Sequence, residues 1–387
     1  MITPAQRARH LFLDPPAPGE ARTRVVATQG PNSDSYDQAT AQLEAGLDVA
    51  RFNLSHASHE WTLQAADTFR RASQETGKQV AILADLPGPR VRIGKLPGGS
   101  VELQEGQKFV LGRDGVEVSQ QAILTDLEPG QTVFLKDRKI AMEVVEKNDG
   151  QLVCQVTRGG TLTEKAGISV PGAALDLPLF PQDDAERLAW AAEVKADMLA
   201  VSNVRDAGHL RLVREEARRL GYDPIIVAKP EDISGLRNLS EIVDEADVVM
   251  VPRGDWGSNT DMTKIAVLEE LTINLCKLRG KPVIDATEMM ENLEFSTSPA
   301  RSDVANVHFA VRSGASATML SGETASPKAV DPVNAVKTMD TVARQAEALD
   351  ESLAKAAQPM FGGVGMSEAF ILDYLARLAE EISARSR

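Results

Sequence analysis

The sequence predicts an α/β fold, a (β/α)8 barrel carrying an all-β insert after its third strand. Three observations carry that reading. Short apolar runs bounded by turn-forming residues recur eight times, alternating with stretches of helical spacing; runs of that length read as buried parallel strands. Between about residues 95 and 165 the texture changes to brief alternating runs broken by Gly, Asp and Pro, the pattern of a small antiparallel unit. Polar and charged residues follow nearly every barrel strand, and in such a barrel the carboxyl ends of the strands form the face where chemistry is assembled.

In chain order, residues 1–21 read as an arm, with Asp14-Pro-Pro-Ala-Pro-Gly19 as a stiff, irregular tether. The barrel is expected over 22–94 and 166–350. Residues 24–28 read as the first strand, 36–45 as a helix ended by Gly46, 48–54 as the second strand, and 59–76 as a helix ended by Gly77. The third strand, 80–84, closes at Asp85-Leu-Pro-Gly-Pro-Arg90. The insert, 95–165, contains Val101-Glu-Leu103, Lys108-Phe-Val-Leu111, Thr132-Val-Phe-Leu135 and Leu152-Val-Cys-Gln-Val156, and is expected to close into a small β-barrel. After Gly167-Ile-Ser-Val-Pro-Gly172 the strand and helix rhythm returns, with a helix at 183–196 and strands at 197–203, 224–228, 246–250, 281–287 and 316–321. The tail, 351–387, holds a Gly-Gly break at 362–363 and one amphipathic helix at 367–384.

The 387 residues suffice for one large barrel and a smaller domain. The formal charge of −14 argues against nucleic acid or an anionic membrane as the main partner. A phosphorylated small molecule needs only a local basic cluster. The two cysteines, Cys154 and Cys276, lack metal-ligand spacing and suit a reducing cytosol. The polar start lacks a signal-peptide core, and no apolar run is long enough to span a bilayer. A cytoplasmic location is expected.

The candidate site centres on Lys229-Pro-Glu-Asp232 and Val251-Pro-Arg-Gly-Asp-Trp-Gly257, each just past an apolar run. Glu231 and Asp255 therefore sit at the carboxyl ends of successive strands. Two carboxylates there can hold a hard divalent ion and leave positions for substrate oxygens. Lys229 beside them can place positive charge on a transferring group. The other strand ends hold Thr28, Arg51-Phe-Asn-Leu-Ser-His56, Asp85, Arg90, Arg92, Ser202, Arg205, Thr287 and Ser321-Gly-Glu323. Taken singly, each also reads as a turn former or a solvated charge. Their shared register points to a site for a phosphorylated, carboxylate-bearing small molecule and a metal.

The chain resembles pyruvate kinase. The matching segments run in order from about Arg22 to Ala348: Val49-Ala-Arg-Phe-Asn-Leu-Ser-His56, Gly88-Pro89 with Arg92, Val170-Pro-Gly-Ala-Ala-Leu-Asp-Leu-Pro178, and Lys229 with Glu231. Arg253-Gly-Asp255, Gly280-Lys-Pro-Val-Ile284 with Ala286-Thr287, Ser302-Asp-Val-Ala-Asn306 and Met319-Leu-Ser-Gly-Glu-Thr-Ala325 continue them. The resemblance implies a TIM barrel with a β lid and phosphoryl transfer from phosphoenolpyruvate to ADP, giving pyruvate and ATP. It implies Lys229, Thr287, Arg51 and Arg92 as catalytic residues, and Glu231 and Asp255 as ligands of Mg2+ or Mn2+. Gly254, Asp255, Thr287 and Ser202 would face the substrate; Arg51, Asn53, His56 and Lys165 would face the nucleotide. The family's monovalent-cation site would fall at Asn53, Ser55, Asp85, Leu86 and Arg90.

Several positions depart from the family pattern. Its Asp-Thr-Lys-Gly-Pro-Glu segment reads Asp85-Leu-Pro-Gly-Pro-Arg90 here, and Ile93 replaces a Thr. Potassium-independent members resemble this, and a tethered guanidinium can supply the charge of the ion, so potassium is not expected to be required. Asn203 stands where Phe is usual, which admits a polar substituent on the substrate's third carbon. In the lid, the usual Asp-Asp-Gly reads Lys136-Asp-Arg138, leaving only Asp137 as a match. The Arg-Ala-Glu-X-Ser-Asp segment shortens to Arg301-Ser-Asp303, and Asp232 replaces Asn. The family's C-terminal regulatory domain is expected to be absent, and sugar-phosphate control with it, while a homodimer through the barrel stays open. Two other functions also stay open: a paralogue acting on a C3-substituted oxo acid or doing enolate or aldol chemistry, and a catalytically silent regulatory homologue. Lys229 and Arg51 together favour transfer.

Overall fold

The computed structural model describes residues 2–17, 19–136, 138–173, 175–260, 262–356 and 367–384. The chain lays down β1 (Arg24–Thr28), β2 (Val49–Asn53) and β3 (Ala81–Asp85). The insert follows, with β4 (Val91–Arg92), β5 (Ser100–Leu103), β6 (Lys108–Gly112), β7 (Thr132–Leu135), β8 (Ile140–Asn148), β9 (Gln151–Arg158), β10 (Gly160–Thr163) and β11 (Gly167–Ser169). It then makes β12 (Met198–Val201), β13 (Ile225–Ala228), β14 (Val248–Pro252), β15 (Val283–Ala286) and β16 (Ala317–Leu320). The eight apolar runs pair in parallel in the order β1-β16-β15-β14-β13-β12-β3-β2, and β1 also pairs with β2, which closes the barrel. Helices cover the outer face of the barrel and strand side chains fill its interior, so the strands are buried on both sides and are apolar without alternation.

Side chains alternate across a strand, and this period of two builds the site. Val26, Val49, Leu83, Ala200 and Val227 point into the barrel and share one interior cluster. Two residues further along the same strands, on the same face, come Thr28, Arg51, Asp85, Ser202 and Lys229. These five polar positions therefore form the next layer up, at the carboxyl end. The opposite parity, including Ala27, Phe52, Ala84 and Val201, packs outward against the helices. Leu86 belongs to that outer core.

The N-terminal arm holds a helix, not read in the sequence, ahead of its irregular tether. Pro4–Leu13 is a helix with a capping box: Thr3 Oγ1 accepts from Gln6 N at 3.2 Å and Gln6 Oε1 accepts from Thr3 N at 2.9 Å. Its buried Ala8 and Phe12 enter the interior cluster beside Val26 and Val49, so the helix stops the amino-terminal mouth of the barrel. Two apolar residues four apart are too thin a stripe to announce a helix in sequence; the barrel mouth supplies the missing burial.

The insert forms a six-stranded antiparallel sheet, β4-β11-β7-β8-β9-β6, and a separate β5–β10 pair. By strand pairing the sheet is open where a small closed barrel was expected; isolated bridges, Val116 to Leu111 of β6 and Val118 to Ile93 next to β4, touch its two edges. A short α-helix, Ala122–Asp126, and a 3-10 turn, Pro97–Gly99, interrupt the otherwise all-β insert. Its core is its own, built on residues such as Leu111, Leu135, Met142 and Leu152. The expected C-terminal helix is present as Glu368–Ala384. It lays Ile371, Leu375, Leu378, Ala379 and Ile382 into the main core, with Arg279 Nη2 2.7 Å from Glu368. The Gly-Gly break at 362–363 lies outside the described residues. Among the described residues no helix is long and apolar enough to cross a membrane.

Candidate active site

Lys229 leads the layer at the carboxyl end of the barrel. Its Nζ lies 3.0 Å from Asp85 Oδ1, 3.0 Å from Glu231 Oε1 and 2.7 Å from Ser202 Oγ. Arg51 holds the other side of Asp85, with Nε at 2.8 Å and Nη2 at 2.7 Å from Oδ2, and its Nη1 donates to Thr28 Oγ1 at 2.6 Å. All of these groups are buried. Burial alone would raise the Asp85 pKa, but Lys229 and Arg51 outweigh it and hold the carboxyl below its usual value. Burial alone would likewise lower Lys229, but Asp85 and Glu231 keep it above its ordinary value. Both groups are therefore charged at neutral pH, and the ammonium is fixed in place before any substrate arrives.

The carboxylate pair is held from below. Glu231 Oε2 accepts from Asn203 N at 3.0 Å, and Asn203 adopts a left-handed φ of 52° to present it. The fully buried Trp256 donates from Nε1 to Pro230 O at 2.7 Å, which pins the turn between Lys229 and Glu231. Asp255 is half-buried at the edge of the cleft, but the surrounding protein still desolvates its carboxyl. That burial, with Glu231 adding to it, pushes Asp255 from 3.8 up to about 7. Two carboxylates forced together at a cleft suit a divalent cation, which would relieve both terms. Among the described residues no group of three or more His, Cys, Asp or Glu is arranged for a metal, so the pair would leave coordination positions to substrate oxygens and water.

Thr287 closes the site from β15. Its Oγ1 accepts from Gly254 N at 2.8 Å and donates to Ala286 O at 2.6 Å. Thr287 and Glu288 both have left-handed backbones, φ 71° and 54°. Gly254 allows this approach because a Cβ there would stand 3.2 Å from Thr287 Oγ1. Asp232 lines the cleft with Glu231 and Asp255 and also caps the helix Ile233–Arg237 by accepting from Gly235 N at 2.9 Å.

Two clefts flank this layer. One, of ≈ 200 Å³, lies between barrel and insert and joins Arg90, Asn203, Glu231 and Asp255 to the apolar Val170, Ala173 and Leu175. Arg90 is exposed there and turns its Nε to Pro87 O at 3.0 Å. The other, of ≈ 600 Å³, is lined by Thr28, Asn53, His56, Trp61 and Pro327. Burial, then Arg90, Arg92 and Arg51, lower the pKa of His56, which keeps it neutral. Asn53 Oδ1 accepts from Ser55 N at 3.1 Å, and the Ser55 hydroxyl oxygen is buried with no partner among the described residues.

Some expected residues lie apart from this grouping. Lys165 is exposed on the turn before β11, with a φ of 59°, and neither cleft is lined by it. Its carbonyl accepts from Arg92 Nη1 at 3.0 Å. Leu86 faces the core instead of the site. Asp137 lies outside the described residues, but its neighbour Arg138 donates to Gly257 O and stacks 4.4 Å over the Phe134 ring, tying the insert to the barrel. Sequence reasoning missed Trp256 as a strut and Asp85 as the partner of Lys229. The parity of Asp85 with Leu83 was the signal that could have found the latter.

Comparison with known proteins places this geometry. The family model "Pyruvate kinase, barrel domain" matches residues 20–336. The chain belongs to the pyruvate kinase family. It is 36% identical over 338 residues to the pyruvate kinase of Geobacillus stearothermophilus, covering 84% of this chain and 57% of that protein. It is 32% identical over 375 residues to the pyruvate kinase of Dictyostelium discoideum, covering 94% of this chain and 73% of that one. The crystal structure of a pyruvate kinase from Cryptosporidium parvum superposes with a TM-score of 0.80 at 29% identity, over 88% of this chain and 74% of the other. The closed eight-stranded barrel with its separate antiparallel sheet is the family fold.

Proposed function

We propose that this chain transfers a phosphoryl group from phosphoenolpyruvate to ADP, giving pyruvate and ATP. The observation that carries the reading is the placement of the Lys229 ammonium, 3.0 Å from Glu231 and buried among fixed partners. Phosphoryl transfer asks a protein mainly for positioning and for fixed positive charge on the group in flight. Glu231 and Asp255 would hold Mg2+ or Mn2+, which supplies Lewis-acid charge on substrate oxygens when bound. Lys229 stabilises the transferring oxygens, and Ser202 and Asp85 keep its Nζ aimed. Arg51 contributes its guanidinium from the side that faces the Asn53 and His56 cleft, where the nucleotide docks. Thr287 borders the far side of the carboxylate pair and is the hydroxyl placed to deliver a proton to the enolate carbon. The insert closes the cleft and excludes water, which strengthens each of these charges.

Potassium independence is part of the proposal. Arg90 borders the cleft beside Asp255, and it is one of the cations that counter the upward push on the Asp255 carboxyl. The test is pyruvate formation from phosphoenolpyruvate and ADP with magnesium, in buffer with tetramethylammonium as the only monovalent cation. Turnover unchanged by added potassium supports the role of Arg90, and strong potassium activation refutes it. A second reading, an oxo acid substituted at C3, is favoured by the cleft that Asn203 shares with Val170 and Leu175. Wild-type protein that binds oxalate but makes no pyruvate would favour that reading.

A further inference from the structure

A second charged cluster lies outside the barrel, one layer behind Thr287. Ile284 and Ala286 of β15 point inward, so Asp285 between them points outward, toward the helix Ile265–Leu278. There it meets Glu269. Both are almost wholly buried, at 0% and 3% exposure. Neither oxygen of Asp285, nor Glu269 Oε1, has a hydrogen-bond donor among the described residues. Arg253 is the cation that reaches them, its Nη1 3.5 Å from Glu269 Oε2 and 3.9 Å from Asp285 Oδ2. Thr318, beside Asp285 in the strand register, and Thr272, one turn along from Glu269, add two buried hydroxyls that also lack partners.

The same guanidinium holds the Thr287 turn. Arg253 Nε and Nη2 donate to Thr287 O at 3.1 and 2.7 Å, and Nη2 donates to Glu288 O at 2.8 Å. Those two residues carry the left-handed backbone that aims the Thr287 hydroxyl at Gly254. Two facing buried carboxylates beside one guanidinium leave an excess negative charge and orphaned acceptors, and both are costly. One proton shared between them removes the excess and supplies the missing donor.

We propose that Glu269 and Asp285 share a single proton and, through Arg253, act as positioning residues for Thr287; this rests on the phosphotransferase reading of the site. With one proton the pair balances Arg253 alone, and the remaining guanidinium N–H groups stay on the Thr287 and Glu288 carbonyls. Without it, two carboxylates compete for the guanidinium and draw it off the turn. Burial, with Asp285 adding to it, raises Glu269 from 4.5 to about 9, and burial raises Asp285 as well, so the pair together keeps one proton at neutral pH. The other charged groups facing Glu269 are Asp285 and Arg253.

The test uses the full chain with glutamate labelled by 13C at Cδ, titrated by NMR, wild type against E269Q and D285N. With aspartate also labelled at Cγ, one carboxyl of the Glu269–Asp285 pair is expected to stay un-ionised through about pH 8, its signal assigned by loss in E269Q or D285N; if both assigned signals are already ionised at neutral pH, the shared proton is refuted. Kinetics are read on the same proteins and on E269Q/D285N, with circular dichroism as the check of folding. E269Q keeps a neutral donor and one charge, so its kcat should stay within about twofold of wild type, whereas the double variant should lose about tenfold in kcat with little change in KM. A folded double variant that turns over like wild type, or a single variant as impaired as the double, overturns the positioning role. Wild type without turnover would refute the phosphotransferase reading instead, and the carboxyl titration would still decide the pairing.

Discussion

Lys229→Met separates the chemistry of this site from its assembly. Methionine keeps the length and apolar stem of the side chain and removes the charge. At an effective dielectric near 20, a unit charge about 4 Å from a transferring phosphoryl oxygen is worth about 4 kcal/mol. At ~1.4 kcal/mol per tenfold, that is about a thousandfold in kcat. The cluster should survive the loss, because Arg51 still contacts Asp85 at 2.7 and 2.8 Å and Glu231 keeps its bond to Asn203 N. Magnesium should bind at least as well as in wild type, since the ammonium 3.0 Å from Glu231 Oε1 no longer competes for that carboxylate. The assay is coupled pyruvate detection, with metal affinity read by thermal shift. A folded variant within tenfold of wild-type kcat would refute the role assigned to Lys229. Equal losses of turnover and metal binding would show that the residue acts on assembly alone.

Two further predictions concern pH and the stopper helix. Asp255 rises from 3.8 to about 7 in the folded protein, so its contribution to the stability of the metal-free protein is complete below the ordinary carboxylate range and is lost as pH rises through about 7. The metal-free Tm should therefore fall across that window, less so in D255N, and metal binding should release a proton and weaken as pH drops below about 7, as calorimetry in two buffers would show. Phe12→Ala, at 3% exposure in the barrel mouth, should cost about 3–5 kcal/mol in urea unfolding with KM unchanged, because the mouth it fills is at the far end from the site. A shift in KM would mean that the stopper reaches the active layer.

The sequence by itself determined the barrel, the position of the insert and the layer of strand-end residues. Buried parallel strands must be apolar throughout, and a period of two sends Val26 and Thr28, or Leu83 and Asp85, to the same side, so strand-end residues such as Arg51, Asp85, Ser202 and Lys229 could be read before any coordinates. Tertiary structure decided what those residues do to one another. That Asp85 is the shared partner of Arg51 and Lys229 depends on β2, β3 and β13 meeting around a closed barrel, over separations no local pattern records. The helix at Pro4–Leu13 was illegible because its stripe is two residues wide and its burial comes from strands far along the chain. Lys165, which the resemblance put on the nucleotide side, is exposed on the turn before β11 and lines neither cleft. Asp285 falls inside the strand read at 281–287, with nothing local to single it out. Only the packing of Ile265–Leu278 against β15 sets Glu269 opposite it, and the low dielectric between those layers then makes a shared proton the cheapest way to keep both acids.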